Sequence, residues 1–86
     1  MEVNTTTIIV YGTTWCPDSW LARRVLDEHE VAYRWVDIDT DPVARAYVEE
    51  VNGGYRSVPT IRFPDGSLLV EPSRRALQAK LNDLAG

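Results

Sequence analysis

At 86 residues the chain has room for one small domain, and a domain of that size buries only roughly 60% of its unfolded surface. Apolar residues make up 44% of it, an ordinary share for a packed core, which excludes a disordered chain. Nine basic and thirteen acidic side chains leave a net charge of −4, which argues against general nucleic-acid binding, where a basic surface supplies most of the affinity.

The single cysteine, Cys16, cannot close an internal bridge, so a reducing compartment is expected. No apolar run approaches the ~18 residues of a membrane span. The opening MEVNTTTIIVYG is acidic and brief, unlike a signal peptide. A soluble, cytoplasmic protein without membrane contact is the expectation.

The first element, TIIVYG at 7–12, is a continuous apolar run ending in glycine and reads as a strand buried on both faces. Pro17 suits the first turn of a helix, where its missing N–H would be unpaired anyway. Leu21, Ala22, Val25 and Leu26 follow at helical spacing, to about Glu30. AYRWVDID at 32–39 is rich in β-formers and reads as a second strand. Asp41 then caps a helix that Pro42 opens. Val43, Tyr47 and Val51 lie on one face of it, with Ala44 and Val48 beside them, and NGG at 52–54 ends it. PTIRF at 59–63 and SLLV at 67–70 form a hairpin around the PDGS turn. Pro72 and Ser73 punctuate the start of a last helix that buries Leu77, Leu81 and Leu84. The order is β-α-β-α-β-β-α. Strands separated by a helix are expected to pair in parallel by a right-handed crossover, with the hairpin adding an antiparallel edge.

The chemistry concentrates in TTWCPDSW at 13–20. A cysteine attacks as thiolate, and a helix N-terminus stabilises that anion through unpaired N–H groups and the positive end of the dipole. Placement after a strand and before Pro17 favours a reactive Cys16 over an inert buried one. Asp18 in the first turn supports the helix but disfavours a second negative charge beside it. Ser19 occupies the place where a dithiol catalyst carries its second sulfur, so an internal disulfide cycle is excluded. The pairs Arg23–Arg24 and Arg74–Arg75 read either as local basic sites or as solvated helix faces. His29 stands alone near a helix end and reads as structural. No nucleotide loop, paired-carboxylate site or Cys/His metal cluster is visible.

Taken in order and at their spacing, TTWCPDS, VDIDTDP, VNGGYRSVPT and FPDGSLLVEPS resemble the glutaredoxins over essentially the full length. Among these the chain is most similar to the short actinobacterial type that includes the mycoredoxins. The resemblance implies a thioredoxin-like α/β fold, a four-stranded mixed sheet flanked by three helices. It implies a monothiol thiol–disulfide oxidoreductase in cell redox homeostasis and electron transport, with Cys16 as nucleophile and Ser19 at the vacated resolving position. It further implies that Pro59 is cis, that Val58 offers its backbone to the incoming thiol, and that Trp15 and Pro17 line the ligand groove. Glutathione-using relatives place a lysine where Thr13 stands, and a Gly-Gly-Cys-Asp-like turn where VEPSRR stands at 70–75. Thr13 and the EPS turn instead match the mycoredoxin-like pattern, which implies mycothiol or a similar sugar thiol, with glutathione as the other choice. Ser73 and the N–H of Arg74 would bind a polar part of that ligand, or Ser73 would serve only as an N-cap. The implied molecule is a monomer with no tightly bound cofactor and no metal. It would act on proteins carrying mixed disulfides with a low-molecular-weight thiol. Two alternatives stay open: a carrier sharing a [2Fe–2S] cluster between two subunits, and a non-catalytic interaction domain that keeps the fold alone.

Overall fold

The computed structural model describes residues 7–85, so part of the N-terminal stretch read above for a signal peptide lies outside the described residues. Seven elements follow one another: β1 (Ile8–Gly12), α1 (Pro17–Glu28), β2 (Tyr33–Asp37), α2 (Pro42–Val51), β3 (Thr60–Arg62), β4 (Leu68–Val70) and α3 (Arg74–Ala85). They build one four-stranded sheet in the order β2-β1-β3-β4. None of the helices described is long and apolar enough to cross a membrane.

The expected parallel pairing holds only for β1 and β2, in register Ile8 with Tyr33 through Gly12 with Asp37. β2 and β3 are also separated by a helix, yet they do not pair. β3 lies on the other side of β1, antiparallel to it, with Tyr11 opposite Thr60. The physical reason is where α2 ends. Asn52, just past it, bonds Thr60 Oγ1 at 3.1 Å, so the chain leaves the helix beside the end of the sheet where β1 finishes, and β3 starts there and runs the opposite way. β4 completes the hairpin, Thr60 opposite Val70.

Two packed clusters fill the two faces. Ile8, Val10, Ile61 and Phe63 of the sheet region meet Ala22, Val25 and Leu26 of α1 and Leu77 and Leu81 of α3. On the other face Ala44 and Val48 of α2 pack with Ile38, Tyr11, Val36, Tyr47 and Val58. β1 is therefore central, but its residues alternate between buried and half-buried rather than being buried throughout. The buried stripe of α2 runs through Ala44 and Val48, because Val43 points to solvent at 80% exposure and Val51 is exposed as well. Leu84 is likewise exposed: it lies beyond the stripe that Leu77 and Leu81 bury.

The helix ends follow local chemistry. Asp41 Oδ1 accepts the Ala44 N–H at 3.0 Å, and Pro42 opens α2. α1 stops at Glu28, two residues before the expected end, because Glu30 turns left-handed at φ 55°. The Glu30 N–H then reaches Asp27 O at 3.0 Å and the Val31 N–H reaches Leu26 O at 3.1 Å, the paired bonds of a Schellman stop.

Candidate active site

Cys16 is the N-cap of α1, with Pro17 in the first helical turn and its own carbonyl accepting the N–H groups of Ser19 (3.1 Å) and Trp20 (3.3 Å). The sulfur therefore stands at the positive end of a twelve-residue helix. It is 8% exposed, and its Sγ lies 3.9 Å from Val58 O. The antiparallel start of β3 makes this meeting possible, since residues 16 and 58 are far apart in sequence. The Val58–Pro59 peptide bond is cis. Among the described residues no group bonds the Val58 N–H, which leaves a donor and a carbonyl side by side next to the thiol. Such a pair is what an extended segment uses when it adds to a sheet edge.

A small polar network holds Val58 in place, and sequence reasoning missed it. Asn52 Nδ2 donates to Val48 O (2.8 Å) and to Thr60 Oγ1 (3.1 Å), while Thr60 Oγ1 donates to Ser57 O (2.7 Å). The end of α2 is thus tied to both sides of the Val58–Pro59 step. The signal was an asparagine at a helix end and a threonine opening a strand, each of which reads first as ordinary punctuation.

Ser19 is fully buried, and its Oγ accepts the Thr13 N–H at 3.3 Å. It locks the loop before Cys16 onto the first turn of α1. Gly12 shows how tight this packing is. A Cβ there would come within 2.6 Å of Ser19 Oγ and 2.8 Å of the Trp35 ring. The Thr13 side chain is turned inward. Only 1% of it is exposed, and its Oγ1 is buried without a hydrogen-bond partner. In this conformation its side chain offers no surface to a ligand, because the Ser19 bond turns the loop inward.

Trp15 is 69% exposed and donates from Nε1 to Asp39 Oδ2 at 2.8 Å, while Trp20 donates to Thr14 O at 2.6 Å. With Pro17, Leu21 and Arg24 the two rings line a shallow groove of about 480 Å³ beside the cysteine. Arg23 is not a solvated helix residue. Its guanidinium lies between the rings of Trp20 (4.5 Å) and Trp35 (4.3 Å), and its Nε is buried.

Near α3, the Glu71 N–H donates to Pro59 O at 2.8 Å, so this turn abuts the β3 start. Ser73 Oγ is occupied as a cap, accepting the Ala76 N–H at 3.1 Å. The Arg74 guanidinium is taken up by Glu28 at 2.7 Å, near the far end of α1 from Cys16. The structure thus gathers Trp15, Cys16, Pro17, Val58 and Pro59 into one locality. It buries the Thr13 side chain and uses those of Ser73 and Arg74 within the protein, while the Arg74 N–H, the group read above as a ligand contact, bonds no described residue. His29 closes α1 as its C-cap, away from the sulfur.

The Glutaredoxin family model matches residues 8–69. A glutaredoxin-family protein of Mycobacterium tuberculosis is 40% identical over 82 residues, spanning 95% of this chain and 98% of that one. Mycoredoxin 1 of Corynebacterium glutamicum is 37% identical over 78 residues, 91% of this chain and 96% of its own. Among solved structures, the thioredoxin-like protein BC3987 superposes with a TM-score of 0.74 at 29% identity, covering 85% of this chain and 97% of that one. A buckwheat glutaredoxin in complex with glutathione shares the fold at a TM-score of 0.69 and 18% identity, over 93% of this chain and 72% of that one.

Proposed function

Because the chain belongs to the glutaredoxin family, whose members are thiol–disulfide oxidoreductases, we propose that it works by a monothiol cycle on mixed disulfides between proteins and a small thiol. The observation that carries this reading is one site: Cys16 at the head of α1, its sulfur against the Val58 backbone, with a buried Ser19 where a resolving sulfur would stand. The Cys16 thiolate attacks the small-thiol sulfur of the mixed disulfide. The protein sulfur leaves as thiolate and takes up a proton. Cys16 is now disulfide-bonded to the small thiol, which the Val58 N–H and carbonyl hold in the manner of an added strand. A second molecule of the small thiol, as thiolate, attacks the sulfur of the bound one. The symmetric small-molecule disulfide departs and the Cys16 thiolate is restored. Ser19 cannot intercept the adduct, so the second small thiol is required in every turnover.

The small thiol is a mycothiol-like sugar thiol in this reading, with glutathione second, on the likeness to mycoredoxin 1 and the absence of a lysine at position 13. No resident cofactor takes part. The test is mass spectrometry of the protein after incubation with mycothiol disulfide or oxidised glutathione. One adduct on Cys16 is expected, larger in yield with the mycothiol form, removed by the matching thiol and absent from Cys16→Ser. No adduct with either compound, or one that no thiol removes, would overturn the cycle. A brown protein with charge-transfer absorption on anaerobic purification would point instead to a shared [2Fe–2S] cluster.

A further inference from the structure

The sheet face under α2 carries a second concavity, separate from the cysteine groove. It encloses about 340 Å³ and is lined by Ile9, Tyr11, Val36, Val43, Ala44 and Tyr47, with Arg34, Arg62 and Asp41 at its polar rim. The register explains how it forms. Ile9 of β1 stands opposite Arg34 of β2 and opposite Arg62 of β3. The two arginines therefore share one cross-strand row, two strand spacings or about 10 Å apart, and point to the same face across Ile9. Neither guanidinium forms an ion pair or hydrogen bond with any described residue. In a chain of net charge −4, two arginines unpaired among the described residues over one apolar floor are an unusual use of positive charge. The floor itself is aromatic: the rings of Tyr11 and Tyr47 lie 5.1 Å apart.

We propose that this groove is a ligand site for a small carboxylate with an apolar body, its carboxylate bridging Arg34 and Arg62 and its body resting on Ile9, Val43 and the two tyrosine rings. Charge decides between anion types. Two guanidiniums and one carboxylate leave the rim at +1. A single negative charge is matched, and a phosphate dianion exceeds it. Guanidinium forks suit a planar two-oxygen anion. The volume admits a fragment-sized molecule, at the lower end of the ~300–1,000 Å³ usual for small-molecule sites. Burial, with the neighbouring Tyr47, raises the Tyr11 hydroxyl from its ordinary value against the lowering fields of Arg62 and Arg34. It therefore stays protonated at neutral pH and can donate to the ligand.

The experiment is a ¹⁵N NMR titration of the whole chain with sodium benzoate, acetate or inorganic phosphate at matched ionic strength. Benzoate is expected to shift the amides of Ile9, Tyr11, Arg34 and Arg62 saturably, with acetate and phosphate at least tenfold weaker. Arg34→Met and Arg62→Met, both on the sheet surface, are each expected to weaken benzoate at least tenfold while keeping the native amide spectrum elsewhere. Equal binding of phosphate and benzoate would overturn the amphipathic ligand. Unsaturable shifts, shifts confined to the cysteine groove, or unchanged affinity in both variants would overturn the site.

Discussion

Gly12 and Ser19 set the tolerance of the loop before Cys16 to single atoms. Gly12→Ala would drive a methyl group into Ser19 Oγ and the Trp35 ring. Neither contact has room to give, since Ser19 is fully buried and Trp35 is packed against the main core. A loss of about 1–3 kcal/mol is expected from overpacking, read from urea unfolding. Ser19→Ala removes the acceptor of the Thr13 N–H instead and leaves that buried donor unpaired, which costs about 1–3 kcal/mol. The two changes share one contact, so their effects in the double variant should fall short of the sum. A double variant that loses the full sum would show that the loop does not close on Ser19. The sequence displayed Cys16, Pro17 and the serine in place of a sulfur. It hid the bond from Ser19 to Thr13, because nothing in a residue's type says which way a loop turns its side chains. For the same reason the side chains of Thr13 and Ser73 looked free to hold a ligand, whereas the first is buried and the second caps α3.

Helix and strand boundaries were legible wherever a local residue decides them. Asp41 with Pro42 marked the start of α2, and Pro17 marked that of α1, because capping and proline effects act within one turn. The buried stripe of α2 was misjudged by one position. The sequence put Val43, Tyr47 and Val51 on one face with Ala44 and Val48 beside them, and it is the neighbouring Ala44 and Val48 that are buried. The side of β1 on which β3 lands was also illegible, since parallel crossover is the rule and nothing in the residue types says that α2 ends beside the finish of β1. The stop of α1 at Glu30 is a different case: its left-handed φ of 55° is a conformation that glycine adopts without the cost a side chain brings. Glu30→Gly keeps both Schellman bonds and relieves that cost, while loosening the unfolded chain. A net gain of about 0.5–1 kcal/mol is expected, measured by thermal or urea unfolding. A loss of stability would mean that the Glu30 side chain contributes more than its backbone costs.

Across the molecule, α3 is tied down by two charged contacts at different places. Lys80 Nζ meets Asp65 Oδ2 of the β3–β4 turn at 2.6 Å, and Arg74 meets Glu28 of α1 at 2.7 Å. The Lys80 bond, helped by the Ser67 hydroxyl and N–H, holds the Asp65 carboxyl well below the usual carboxylate range. The Arg74 bond lowers Glu28 in the same direction. A carboxylate depressed in the folded state contributes stability that is complete above its unfolded value, about 4, and is lost as pH falls toward the folded one. Both pairs lie at the surface, so salt screens them. Asp65→Asn is therefore expected to melt slightly below the parent at pH 7 in low salt. The gap should narrow from about pH 4 downward and in high salt. A gap that widens in acid would refute the assignment. The contact between Cys16 and Val58 has a consequence in time as well as in space. It spans 42 residues of sequence, and at ~5–20 residues per second the ribosome delivers Val58 about 2–8 s after Cys16. Through that interval the sulfur emerges on a chain that has no second wall to meet it, and so no means of choosing its partners. A chain halted at residue 57 should alkylate as an unstructured peptide thiol does, while the full chain reacts at a rate set by its own site. Identical rates for the two would show that the newborn protein already possesses its chemistry before the fold is complete.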